Sequence, residues 1–209
     1  MHPMANANIE TVIFDLGGVL IDWNPEYLFR KIFDDEAEMR RFLREIATPD
    51  WNEQQDAGRP LDVATDWLVE RHPEYEAPIR AYYGRWEEML GGAIAGTVEL
   101  LHRLHAQNSH RLYALTNWSH ETFPIAEERY EFLQRFEGIL VSGREKLKKP
   151  DPRIYELVIE RYAITPQRSL FIDDSHRNVV GARAVGLQAI HFESPEKLQA
   201  DLQARGILR

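Results

Sequence analysis

The sequence predicts an α/β protein in which helices cover a parallel sheet on both faces and a helical cap is inserted after the first strand. Two observations predict it. Short apolar runs rich in β-branched and aromatic residues alternate with stretches of helical period through the second half of the chain, as in a sheet buried on both faces. The interval 24–95 breaks that alternation with Trp, Glu and Arg at helical spacing and no convincing strand. The 209 residues suffice for one good core and a small second unit, since a domain usually takes about 100–200. The expected division is a core of 1–23 and 95–209 and a cap of 24–94.

The first strand is Thr11–Phe14, ending at Asp15 and followed by Gly17 and Gly18. Four more are expected at 112–115, 138–141, 170–172 and 188–192, with helices at 98–106, 124–135, 152–162 and 179–185. Pro152 stands where a first helical turn tolerates proline, and Gly186 follows the last of these helices as a stop. Asn24-Pro25 on one side and Gly91, Gly92 and Gly96 on the other bound the insert and are its expected hinges. Its aromatics, Trp51, Trp67, Tyr82, Tyr83 and Trp86, are expected to form the core of a small bundle. The stretch TPDWNEQQDAG, 48–58, is expected to be an exposed turn that reaches a substrate.

Composition narrows the function. With 44% hydrophobic and 28% charged residues the chain is neither membrane-like nor disordered, and its apolar stretches are far too short to span a bilayer. The start, MHPMANANIE, has neither the basic region nor the apolar run of a secretory signal; it is read as a loose tail, and a cytoplasmic location is expected. The absence of cysteine removes disulfides, thiolate metal sites and a cysteine nucleophile. A net charge of −9 disfavours a nucleic-acid surface, which needs excess Lys and Arg to displace counterions. A small-molecule substrate, with no nucleic-acid or membrane partner, is expected; oligomeric state is not legible.

Several strands deliver a polar group at the C-terminal end, the edge where open parallel sheets bind ligands. The first gives Asp15, the second Thr116 and Asn117, the loop after the third Lys149, and the fourth Asp173 and Asp174. A lone Asp or Asn at such an end is more often a cap or a strand terminator. Several in one crevice suit phosphoryl transfer through a carboxylate. Acidic side chains and a backbone carbonyl make an oxygen-rich Mg²⁺ site, while a hydroxyl, an amide and an ammonium spread over the phosphate oxygens.

VIFDLGGVL, LTN at 115–117, the lysine of KKPDPRIY and FIDDSHRN together resemble, in order, the four motifs of the haloacid dehalogenase-like superfamily. The resemblance implies a Rossmann-like core with a helical cap, and Mg²⁺-dependent hydrolysis of a phosphomonoester through an aspartyl phosphate. It implies Asp15 as nucleophile; Asp15, the carbonyl of Gly17 and Asp174 as metal ligands; and Asp173 and Asn178 as supporting residues. Thr116, Asn117 and Lys149 would hold the phosphate, Lys149 also neutralising charge.

One departure matters. Most phosphatases of this superfamily carry an aspartate two residues after the nucleophile as general acid and base, and here that position is Gly17. Glycine moves no proton, and such help is worth ~10²–10⁴-fold. Candidate replacements are His120, Asp56 and Glu53. A glycosyl 1-phosphate, whose hemiacetal oxygen leaves readily, needs the help less; the DLG form also resembles the glucose-1-phosphate phosphatase branch, so a sugar phosphate is the expected substrate class. Asp22 is read as a turn residue, and His72, His102, His105 and His176 show no ligand spacing. Two rivals remain: a metal-independent 2-haloacid dehalogenase using cap arginines (Arg30, Arg40, Arg41, Arg44), and a non-catalytic binding or regulatory protein. The acidic pair at 173–174 argues against the first.

Overall fold

The structure is a computed structural model describing residues 8–209, so the N-terminal tail expected from the sequence lies outside it up to residue 7. Five strands, β1 (Thr11–Phe14), β4 (Arg111–Thr116), β5 (Gly138–Val141), β6 (Ser169–Asp173) and β7 (Gln188–His191), form a parallel sheet in the order β5-β4-β1-β6-β7. The central β1 pairs with β4 on one side, Thr11 opposite Arg111, and with β6 on the other, Thr11 opposite Ser169. Its side chains alternate between two cores. Val12 and Phe14 join Leu170 and Ile172 on one face, while Ile13 joins Leu115 and Phe171 on the other. That division is why the strand reads as a continuous apolar run.

Helices cover each face. Ala95–Gln107 and Pro195–Ala204 bury Leu100, Leu101, Leu198 and Leu202 in the first core. Pro152–Arg161 and His176–Ala184 bury Ile154, Tyr155, Val179 and Ala182 in the second. The Asp151 side chain accepts from the Arg153 N–H ahead of Pro152, and Gly186, at φ +90°, allows the turn after the later helix. The helix expected at 124–135 divides into Phe123–Arg129 and a 3₁₀ turn, Glu131–Arg135. Tyr130, Phe132 and Leu133 are all buried, a spacing that one regular helix face does not supply.

Two further strands were missed. β2 (Ile21–Trp23) and β3 (Leu90–Ala93) pair antiparallel where the chain leaves for and returns from the helical insert, so the expected hinges are tied into a ribbon. Asp22, expected as a turn residue, instead lies within β2 opposite Gly92 and accepts from the Tyr27 hydroxyl at 2.7 Å. Helices Glu26–Phe29, Glu36–Glu45, Pro49–Asp56, Leu61–Arg71 and Glu76–Gly84 lie between β2 and β3. They pack around Phe29, Phe42, Trp51 and Tyr82, with Trp51 edge-on to Tyr82 at 5.1 Å. Trp67 departs from the bundle-core expectation: it is 42% exposed, with the Arg71 guanidinium 3.7 Å from its ring centre. Most of the stretch 48–58 is a helix, Pro49–Asp56, rather than an exposed turn. Thr48 caps it by accepting from the Trp51 N–H at 3.1 Å, and Pro49 occupies its first turn. Among the described residues no helix is long and apolar enough to cross a membrane.

Candidate active site

Order and direction of the strands bring Asp15, Thr116, Asn117 and Asp173 to one sheet edge. Asp15 directly follows β1, Thr116 ends β4 and Asp173 ends β6. Lys149 enters from the loop after β5, its side chain fully buried. Its ammonium donates to Asp15 Oδ2 at 2.8 Å, Asp173 Oδ2 at 2.7 Å and the Leu115 carbonyl at 3.0 Å. Three protons thus meet three acceptors, the condition under which a buried lysine stays charged.

One ammonium does not neutralise two carboxylates. Burial pushes the Asp15 carboxyl well above the usual range; Lys149 opposes this and Asp173 and Asp174 add to it. Asp173 goes the other way: burial raises it, but Lys149, the Ser175 N–H and the Asn178 amide hold it below. The Ser175 N–H reaches Asp173 Oδ1 at 2.8 Å, and Asn178 Nδ2 lies 3.0 and 3.1 Å from its two oxygens. Asn178 therefore bonds Asp173, which in turn bonds Lys149.

Asp15, Asp173 and Asp174 each offer a carboxylate oxygen, all within 4.8 Å of one another. Asp174 is exposed toward the cleft, and burial of its carboxyl followed by the charge of Asp173 raises its pKa. Gly18 makes room for it. At φ +74° a side chain would be strained, and a Cβ would lie 2.3 Å from Asp174 Oδ2. Gly17 differs: a Cβ there would meet nothing within 4 Å. The donor set fits a hard divalent cation, being all oxygen, with three carboxylates against one ammonium.

The expected phosphate-holding residues divide. Thr116 Oγ1 is buried and has no hydrogen-bond partner among the described residues. Asn117 is mostly committed to the lysine loop: its Nδ2 donates to the Lys149 carbonyl at 3.0 Å and its Oδ1 accepts the Lys149 N–H at 2.8 Å. One Nδ2 proton stays available.

Two cavities meet beside these residues. A cleft of about 440 Å³ is lined by Asp15, Gly17, Asp174 and Arg177 from the core and by Asn52, Glu53, Asp56 and Tyr82 from the insert. Next to it lies a chamber walled by Trp23, Tyr83, Trp86 and Trp118, with Ser119 and Thr122. Tyr83 and Trp86 are thus cavity wall as well as bundle. Sequence reasoning missed Trp23, Trp118 and Arg177, since nothing in helical period separates a chamber wall from a core.

The proton-carrier candidates also divide. His120 is exposed and lines neither cavity. Glu53 is bridged by Lys148 and Arg177, which hold its carboxyl low against the upward push of burial. Asp56 faces both cavities; burial and then the charge of Glu53 push its carboxyl up to about 7, against the pull of Lys148, the Ser119 N–H and Lys149. The arginines named for a dehalogenase are elsewhere: Arg30, Arg40 and Arg44 pair with Glu26, Glu36 and Glu45 at exposed positions, and Arg41 donates to the Tyr75 hydroxyl.

Among family models, that of the haloacid dehalogenase-like hydrolases matches residues 9–186. A sesquiterpene phosphatase of Aspergillus oryzae is 28% identical over 88% of the chain and 89% of its own length. A phosphorylated carbohydrates phosphatase of Thermotoga maritima is 24% identical over 88% and 84%. Among solved structures, a family enzyme of Bacteroides thetaiotaomicron in complex with magnesium and inorganic phosphate superposes with a TM-score of 0.68 at 24% identity, covering 90% of this chain and 96% of that one.

Proposed function

The chain belongs to the haloacid dehalogenase-like hydrolase family, and from that premise and the geometry of its carboxylates we propose that it is a Mg²⁺-dependent phosphatase acting on a small phosphomonoester through Asp15. The observation that carries this reading is the Lys149 ammonium shared between Asp15 and Asp173, with the exposed Asp174 beside them. A nucleophile for a dianionic ester must be held near positive charge, and an acidic trio supported by one lysine needs a cation to complete it.

Asp15, Asp174 and the Gly17 carbonyl would hold the Mg²⁺, which supplies charge neutralisation and orientation for the phosphoryl group. The chain's own residues do the rest. Leu16 donates its N–H to Asp15 Oδ1 at 2.7 Å and Lys149 donates to Oδ2, fixing the carboxylate plane. Asp15 attacks phosphorus, forming an acyl phosphate as the ester P–O bond breaks; water then cleaves the acyl phosphate. Thr116 and the remaining Asn117 proton donate to the phosphoryl oxygens, and the unpartnered Thr116 hydroxyl supports that role. Asp173 and Asn178 keep Lys149 in place.

The finer reading is a sugar phosphate. Aromatic faces with Asn52, Ser119 and Thr122 beside them suit a ring that is apolar on its faces and hydroxylated at its rim. The four aromatic rings equally favour a second reading, a monophosphate with an apolar tail. Phosphate release from glucose 1-phosphate, other sugar phosphates and a prenyl monophosphate, each with Mg²⁺ and with excess EDTA, tests both. Metal-dependent release is expected, and its rank order chooses the substrate class. Silence on every ester, with halide released from a 2-haloacid in EDTA, would overturn the proposal. Gly18→Ala is expected to raise the Mg²⁺ concentration for half-maximal rate at least about tenfold, because the new methyl collides with Asp174; an unchanged requirement would take Asp174 out of the metal site.

A further inference from the structure

We propose that Asp56, carried by the inserted helix Pro49–Asp56, is the group that gives a proton to the leaving oxygen and takes one from water, in the place that Gly17 leaves empty. The inference rests on the phosphatase reading above. Its geometric basis is the junction of the two cavities. With phosphorus against Asp15 in the cleft and the alcohol part in the aromatic chamber, the bond to be broken lies where the two meet. Gly17, Trp23, Asn52, Asp56 and Asn117 line both cavities. Of these five, Asp56 alone carries an acid proton.

The surroundings hold it there. The Asp56 carbonyl accepts from the Ser142 hydroxyl at 2.5 Å, tying the helix end to the core, and Asn52 Nδ2 lies 3.4 Å from Asp56 Oδ2. Gly17 offers no obstruction, since a Cβ on it would have open space. Groups facing Asp56 come from every neighbouring element: Glu53 and Asn52 on its own helix, Tyr82 and Tyr83 from Glu76–Gly84, the Ser119 N–H after β4, and Lys148 and Lys149 after β5. Tyr83 is no rival donor, its hydroxyl being engaged with Gln55 and Asn52 and its pKa far raised by burial.

The step balances. As the Asp15 oxygen bonds phosphorus and the ester P–O bond breaks, the Asp56 carboxyl proton passes to the departing oxygen, leaving a carboxylate. As water then bonds phosphorus and the acyl-phosphate P–O bond breaks, the water proton returns to Asp56 and phosphate is freed. A carboxyl near neutrality suits both halves.

The test compares Asp56→Asn with the unsubstituted protein, both with Mg²⁺, on an alkyl phosphate and on p-nitrophenyl phosphate, whose leaving group at pKa about 7 needs no proton. The alkyl ester is expected to slow by ~10²–10³-fold, and the nitrophenolate burst by less than ~10-fold, with phosphoenzyme accumulating because no base serves the second half. Above pH about 7 the unsubstituted protein loses alkyl turnover as the carboxyl gives up its proton, a limb absent from the variant. Adding Gly17→Asp to Asp56→Asn is expected to restore at least about tenfold of the lost rate by supplying a carboxyl to the same junction. Thermal unfolding at pH 8 guards against misfolding: burial makes the charged carboxyl unfavourable there, so the Asn variant should melt no lower. An equal fall on both esters without rescue, or alkyl turnover kept within threefold, would overturn the assignment; silence of the unsubstituted protein on both esters would instead remove the phosphatase reading.

Discussion

Asp15→Asn is expected to abolish phosphate release from every ester the protein hydrolyses, by more than about 10³-fold, while leaving the fold intact. An amide neither attacks phosphorus nor supplies charge to a cation. The fold survives because Asp15 is a carboxylate in an unfavourable place, pushed up by burial and by its acidic neighbours. The Leu16 N–H can still donate to the amide oxygen, which stands where Asp15 Oδ1 does. Circular dichroism should therefore match that of the parent, with melting lowered because the amide Nδ2 takes the place of the Oδ2 that accepts from Lys149, and no acid-stable, hydroxylamine-labile phosphate should form on the variant. Retention of a tenth of the parent rate would show that another residue attacks phosphorus.

Lys149→Met is expected to cost about 3–5 kcal/mol of stability at pH 7, since it leaves Asp173 buried without its counter-charge. The sign with pH follows from the shifts. Asp173 is depressed in the folded state, so the pair's contribution is present above the unfolded carboxylate pKa of about 4 and fades as pH falls through the folded value. Lys149 is raised by Asp15 and Asp173 in spite of burial, so the same contribution is complete below its unfolded pKa of about 10.4 and fades as pH rises through the folded value. The deficit should be widest between those limits and should shrink in acid. Urea unfolding of both proteins at pH 7 and at pH 3.5 measures it. A loss below about 1 kcal/mol at neutral pH would mean that the ammonium is stabilised elsewhere.

Much of this site was legible because its parts stand at strand ends, and strands were marked by apolar runs of the right length. Asp15, Thr116, Asp173 and Asp174 were placed by that logic alone. What was not legible came from two sources. A residue's partner is a three-dimensional fact: the sequence offers Asn117 as a phosphate donor and says nothing of the Lys149 backbone, which takes its Oδ1 and one Nδ2 proton and leaves one proton for the phosphate. Short paired segments carry little pattern, and LGGA at Leu90–Ala93 contains two glycines that read as a turn while forming β3. Other signals were present and unread. Thr48-Pro49 is a helix start, as Ser194-Pro195 is for Pro195–Ala204, where Ser194 accepts from the Lys197 N–H. The polar density of 48–58 concealed the first of them, although its expected approach to the cleft survives in Asn52, Glu53 and Asp56.

The register of the central strand has a consequence for how the protein is made. β1 leaves the ribosome before either of its neighbours, yet its partners lie about 100 and 158 residues further along, Thr11 opposite Arg111 and Ser169. Its apolar side chains and ladder groups must wait while the whole insert is synthesised, and closing such long loops is slow. The insert pairs its helices locally and is free to organise early; β1 is paired on both sides only after β6 has been made, and the sheet is complete only with β7. The nucleophile at the end of β1 is thus translated long before the strands that flank it and set in place only with them, so no catalytic competence precedes synthesis of β6.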